Sequence, residues 1–158
     1  MALPGQKLQN PWSTIQIRIS PAMVTKGGFR TIITSGRFRA YLIGGTNSKQ
    51  NWEFQLERKT FRARASMLLK RAYFAFAVKE DKEIYVVGGR GDLQAQNYYH
   101  FIRSQCTMEC YNTLANNWSL IKCKLNEGRY YASACIVGKW VYVFGGFRTK
   151  KLHGQYAV

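Results

Sequence analysis

Three times in this chain an apolar run ends in two glycines: AYLI runs into Gly44-Gly45, IYVV into Gly88-Gly89, and VYVF into Gly145-Gly146. The doublets are 44 and 57 residues apart, and self-similarity on that scale constrains an architecture more than any composition does. The runs are rich in β-branched and aromatic residues, which marks them as strands. Ahead of each lies a second strand-like run and a short turn: TIIT then SGR, FAFAV then KEDK, SACIV then GK. Each pair therefore reads as a hairpin. Where the second strand ends, the backbone must turn sharply and lie close to its neighbours. Glycine permits positive φ and leaves room where a Cβ would collide.

The match continues beyond the glycines. Trp118 follows Tyr111 by seven positions, as Phe61 follows Phe54; Arg71 follows Met67 by four, as Arg129 follows Leu125. The repeating unit is a hairpin, a glycine doublet, a loop, two strands each with an aromatic, and a loop ending in arginine. That is four strands per unit. Near the start, Pro11-Trp12-Ser13-Thr14-Ile15 echoes Asn117-Trp118-Ser119-Leu120-Ile121.

This order, an apolar strand, Gly-Gly, then Tyr and Trp separated by six residues, resembles the kelch repeat, whose units form the blades of a β-propeller. The second unit is the close match and the first is degenerate, with Phe54 and Phe61 for Tyr and Trp. The resemblance implies an all-β fold: a kelch-type β-propeller fragment of about two full four-stranded blades plus partial blades at both ends. Its expected parts are the last strand of a preceding blade (12–16), a first blade (29–64), a second blade (71–123) and the first hairpin of a third (129–147) within one unit, 1–158. Small side chains should recur on the innermost strands, as Ala75 and Ala77 and then Ser133 and Cys135 do. Tyr111 and Trp118 should fill the wedge between sheets, with their polar tips on backbone partners. Such a set of strands is too short to close, since a propeller takes ~4–8 blades. We expect either a piece of a larger propeller or completion by another chain, a second copy included.

Charge is the strongest compositional oddity: 24 Lys+Arg against 8 Asp+Glu, a formal +16 spread along the chain rather than gathered in a tail. Such a field draws acidic partners, whether protein or nucleic acid. No apolar run approaches the ~18 residues of a membrane-spanning helix, and Met1 to Asn10 lacks the apolar stretch of a signal peptide. The expectation is a cytoplasmic or nuclear protein with no membrane insertion. Cys106, Cys110, Cys123 and Cys135 form no CxxC pair, which points to reduced core thiols rather than a zinc site. No cofactor is expected.

Catalysis is the weakest function class. His100 and His153 are the only histidines and Asp81 and Asp92 the only aspartates, with no nucleophile and base placed by a motif. Kelch relatives of the copper-radical oxidase type need histidine and tyrosine ligands in a full propeller. Nor does a BTB-like segment precede the repeats to support a ubiquitin-ligase adaptor role.

Binding is better supported. Kelch proteins commonly dock a protein segment on the face that carries the loop between second and third strands. From Gly88 to Tyr111 that loop spans 23 positions, against 10 from Gly44 to Phe54. The additional residues bring Tyr98, Tyr99, His100, Phe101 and Arg103, residue types enriched at interface hot spots. Arg90 follows the doublet directly, where the resemblance implies an arginine presented to an acidic ligand. The expected function is thus a non-enzymatic protein-interaction module for an acidic segment. Nucleic acid is the alternative partner: Arg58, Lys59, Arg62 and Arg64 alternate along a strand-like run, with Arg62 and Arg64 on one face, and Arg148, Lys150 and Lys151 add a basic terminus.

Overall fold

A computed structural model of the chain describes residues 31–35, 39–46, 48–91, 104–148, 150–152 and 155–157, with side-chain surroundings for 39–46, 48–91 and 104–148. The expected strand at 12–16 and the residues Tyr98, Tyr99, His100, Phe101 and Arg103 lie outside the described residues. What is described is all-β and antiparallel. Among these residues no helix is long and apolar enough to cross a membrane.

The first sheet is a four-stranded meander of β1 (Thr31–Ser35), β2 (Arg39–Ile43), β3 (Asn51–Gln55) and β4 (Thr60–Arg64), in that order. The second repeats it with β5 (Ala75–Lys79), β6 (Glu83–Val87), β7 (Thr107–Asn112) and β8 (Asn117–Lys124). A hairpin of β9 (Ser133–Val137) and β10 (Trp140–Phe144) follows, then a short hairpin of β11 (Lys150–Leu152) and β12 (Gln155–Ala157). Registers repeat as well: Ala40, Phe54 and Phe61 form a cross-strand row in the first sheet, and Ile84, Tyr111 and Trp118 form its counterpart in the second.

The two sheets pack face to face, because alternation along each strand gives each an apolar side. Tyr41 and Ile43 from the first meet Ile84, Val86, Tyr111 and Trp118 from the second, with Met67 and Phe74 from the connecting segment completing the cluster. Tyr111 contacts Tyr41 edge-on at 5.7 Å and lies 5.0 Å from the Trp118 ring. Aromatic side chains bury ~150–250 Å² each, and at ~25 cal/mol per Å² each contributes roughly 4–6 kcal/mol before entropy is counted. The polar tips of Tyr111 and Trp118 are paired. Trp118 Nε1 donates to the Ala65 carbonyl at 2.8 Å, and the Tyr111 hydroxyl donates to Asn116 Oδ1 at 2.9 Å.

The first strands of the second and third units are neighbours: β5 runs beside β9. Ala75 and Ala77 are buried there. Ser133 and Cys135, at the matching places, are exposed, against expectation. They lie on the face of β9 turned away from the second sheet, and no described sheet covers that face. Cys123, on the outer strand β8, is exposed too, whereas Cys110 is buried and burial pushes its thiol pKa up.

The glycine corners have one construction. Gly44 (φ +69°) and Gly88 (φ +67°) occupy the left-handed region, and a Cβ on either would stand 2.5 Å from the carbonyl oxygen of the next arginine, Arg71 and Arg129 respectively. Neither the conformation nor the space admits a side chain. In these first two corners the second glycine donates to that same carbonyl, Gly45 N to Arg71 O at 3.2 Å and Gly89 N to Arg129 O at 2.6 Å.

Each arginine then reaches forward to the next corner. Arg71 Nη1 donates to Gly88 O at 2.7 Å, and Arg129 Nη1 to Gly145 O at 2.8 Å. Arg71 is fully buried and pairs with fully buried Glu109, Nη2 to Oε1 at 2.8 Å and Nε to Oε1 at 3.1 Å. Burial lowers the Arg71 pKa, and the Glu109 carboxylate opposes that shift. Glu109 also accepts from the backbone N–H groups of Leu68 and Leu69, at 2.6 and 3.2 Å. The carboxylate thereby fixes the crossover between sheets.

Two outcomes follow for stability, read by urea denaturation of the full chain. Gly88→Ala should destabilise by more than the ~0.5–1 kcal/mol of an ordinary glycine effect, since the corner must open. Glu109→Gln should cost about 3–5 kcal/mol by stranding a buried cation, and adding Arg71→Met in the same chain should recover much of that loss. A double variant no more stable than the single one would refute the pairing.

Candidate functional site

The corner after β6 carries the most distinctive surface among the described residues. Arg90 forms a single antiparallel bridge with Ala72 on one side and Ser104 on the other. Arg90 N donates to Ala72 O at 2.7 Å, Ala72 N to Arg90 O at 3.0 Å, and Gln105 N to Gly89 O at 2.8 Å. The backbone of Arg90 is thus pinned from both sides.

The Arg90 side chain lies over rings. Its guanidinium carbon is 4.3 Å from the Tyr130 ring centroid and 6.0 Å from that of Tyr73. A cation over an aromatic face is attracted by the ring quadrupole. Tyr73 and Tyr131 pack at 4.5 Å, Tyr131 N donates to Tyr73 O at 2.8 Å, and Phe147 contacts Tyr130 at 5.9 Å. The Arg90 Nε is buried with no hydrogen-bond partner among the described residues. The site is half-enclosed: Tyr130 is buried, while Tyr131 is 55% and Phe147 60% exposed.

Tyr73 and Tyr131 both hold left-handed backbone, φ +55°. A bulky residue in that region is uncommon and costs of order 1–3 kcal/mol, so the surrounding bridges must hold it. The strain turns successive tyrosines onto one face. This cluster went unread in the sequence, although the signal was present: Arg71-Ala72-Tyr73 and Arg129-Tyr130-Tyr131 occupy the same place in successive repeats. Phe147 stands where Arg90 does, directly after its doublet, and bridges to Tyr130 as Arg90 does to Ala72.

The basic run after β3 behaves differently from its sequence reading. Arg58 and Lys59 sit in the β3–β4 turn and, with Arg62, are exposed. Arg64, two residues along β4 from Arg62 and on the same side of the sheet, is only partly exposed and is drawn into contacts with the second sheet. Its Nε donates to Tyr111 Oη at 2.9 Å, its Nη2 donates to Thr113 O at 2.7 Å, and Nε lies 3.5 Å from the buried Glu53 carboxylate. The tertiary fold consumes Arg64 as a tie between sheets. Asp81 lies in the β5–β6 turn, exposed, with φ +56°. His100, His153 and Asp92 lie outside the described residues. Among the described residues, no three His, Cys, Asp or Glu side chains converge to hold a metal.

Comparison with protein-family models finds no match for this chain, and comparison with curated proteins finds no significant match.

Arg64→Gln should destabilise the chain by about 1–3 kcal/mol, since a buried acceptor is left without its charged donor. Arg58→Gln and Arg62→Gln should stay within about 0.5 kcal/mol. Thermal unfolding of the three variants side by side checks the contrast; equal effects would show that Arg64 is merely another surface cation.

Proposed function

We propose that the chain is a non-enzymatic protein-interaction module, a partial kelch-type propeller that receives an acidic protein segment on the face bearing Arg90. The observation that carries this reading is the Arg90 guanidinium held over Tyr130, with its backbone bridged on both sides. A planar cation fixed in place before binding loses little conformational freedom on meeting a carboxylate. Exposed Tyr131 and Phe147 beside it supply apolar contact area, the combination found at interface hot spots. The net charge of +16 favours an acidic ligand and speeds its encounter. The kelch-type arrangement is supported by the repetition of doublet, aromatic pair and arginine, and by two meanders of the same order packed face to face.

Nuclease-treated pulldowns at low and high salt, run with wild type, Arg90→Ala and Tyr131→Ala, test the reading. Protein partners that resist nuclease and drop at least tenfold with either variant are the expected result. The same loss is expected on replacing Tyr98, Tyr99 and Phe101 by alanine. Binding that disappears with nuclease, and is indifferent to Arg90, would replace this reading with the nucleic-acid one.

A further inference from the structure

The third repeat stops half-built among the described residues, and what it lacks can be read from the two complete ones. In the first sheet β3 pairs along the outer edge of β2, and in the second β7 pairs along the outer edge of β6. Among the described residues β10 pairs with β9 alone. Val137 and Trp140 flank the two-residue Gly138-Lys139 turn. In antiparallel geometry that register turns the N–H groups of Val141 and Val143 outward, away from β9.

The corner beyond is equally open. Gly44 N donates to Gln50 O and Gly88 N to Thr107 O, each an acceptor at the start of the returning strand. For Gly145 N no acceptor occurs among the described residues, and a Cβ there would meet nothing within 4 Å, although its φ of +64° matches the other two corners. Tyr142, which stands where Tyr41 does, is 45% exposed against 0%.

Arg129 supplies the chemical specification. It repeats the Arg71 bond to its glycine corner, but Arg71 also has Glu109, delivered by the strand added to β6. Arg129 has no carboxylate partner among the described residues. Residues 128–158 contain no Asp or Glu. Beside the edge of β10 runs a groove of about 400 Å³, with Tyr85, Met108, Ile121 and Val141 on its walls and Lys79 and Lys139 at its rim.

We propose that the free edge of β10 accepts an extended antiparallel segment of another, acidic protein, which places a carboxylate on Arg129 and an aromatic ring two residues later in the groove. This is β-strand addition, in which the ladder gives affinity and alternate side chains give specificity. The spacing is that of Glu109 and Tyr111, which face the first sheet together and are both buried. A second copy of this chain is the poorer occupant, because lysine-rimmed edges on molecules of charge +16 repel. It uses the outward ladder groups of β10 and the Arg129 side chain rather than the Arg90 guanidinium, although Arg90 lies over the neighbouring Tyr130.

The probe is a fluorescein-labelled peptide copying residues 105–113, with serine in place of both cysteines, measured by fluorescence polarisation against the full chain. Wild type should bind it. Affinity should fall at least tenfold with Arg129→Gln, with Val143→Pro, and with glutamine for the single glutamate of the peptide, while Arg58→Gln, in the exposed β3–β4 turn, leaves it unchanged. Far-UV circular dichroism shows whether the proline variant folds; the peptide substitution tests the carboxylate without altering the protein. Absence of binding to wild type, or equal binding of both peptides, overturns the proposal. So does a concentration-dependent dimer in sedimentation that the peptide does not dissociate, since that would assign the edge to a second copy.

Discussion

A fully buried ion pair organises this molecule. Arg71 and Glu109 are both fully enclosed, and an isolated charge in that place would be too costly to keep. Their mutual attraction alone does not offset desolvation; the surrounding bonds do. Arg71 also donates to Gly88 O, Thr107 O and Thr107 Oγ1, and Glu109 accepts two backbone N–H groups of the crossover. Because Arg71 O in turn receives Gly45 N, one residue couples the corner of the first sheet to the corner of the second. The apolar cluster of Tyr41, Ile43, Ile84, Val86, Tyr111 and Trp118 fills the space between the sheets, and the ion pair ties down the crossover that joins them.

The same corner explains the placement of the candidate site. Once a glycine doublet bends the chain, the next residue emerges beside the start of the first strand. In the second sheet that residue is Arg90, and in the third it is Phe147. Successive left-handed tyrosines bring Tyr73 and Tyr131 to the same face. The candidate surface is therefore a by-product of corner geometry: the backbone bridges present whatever side chain follows the glycines. An arginine there, backed by rings, is suited to carboxylates.

Much of this was legible because it repeats. Two hairpins closing in Gly-Gly, with Phe54/Phe61 and Tyr111/Trp118 at equal spacing, specify strands, their number and their inward aromatics, since strand periodicity and glycine stereochemistry are local properties. Other features were not legible. Arg64 looks like a member of a basic stripe, yet Tyr111, Thr113 and Glu53 come from elsewhere in the fold to bind it. Cys135 occupies the place of buried Ala77 but lies exposed, because burial belongs to whichever sheet stacks on that face and not to the position in the repeat. Glu109 gave no signal as a core residue, since nothing local distinguishes a carboxylate that will meet a buried arginine from one that will meet water.

The sequence by itself determined the strand pairs, the corners and the aromatic rows, all fixed by short-range sterics and alternation. Tertiary structure alone decided which charges are structural and which remain available. Arg71, Arg64 and Glu109 become internal bonds, while Arg90 stays poised over rings and Arg129 keeps an open side. The reason is that the free energy of a charge depends on its solvation and on partners brought from distant segments, and neither exists until the sheets have packed.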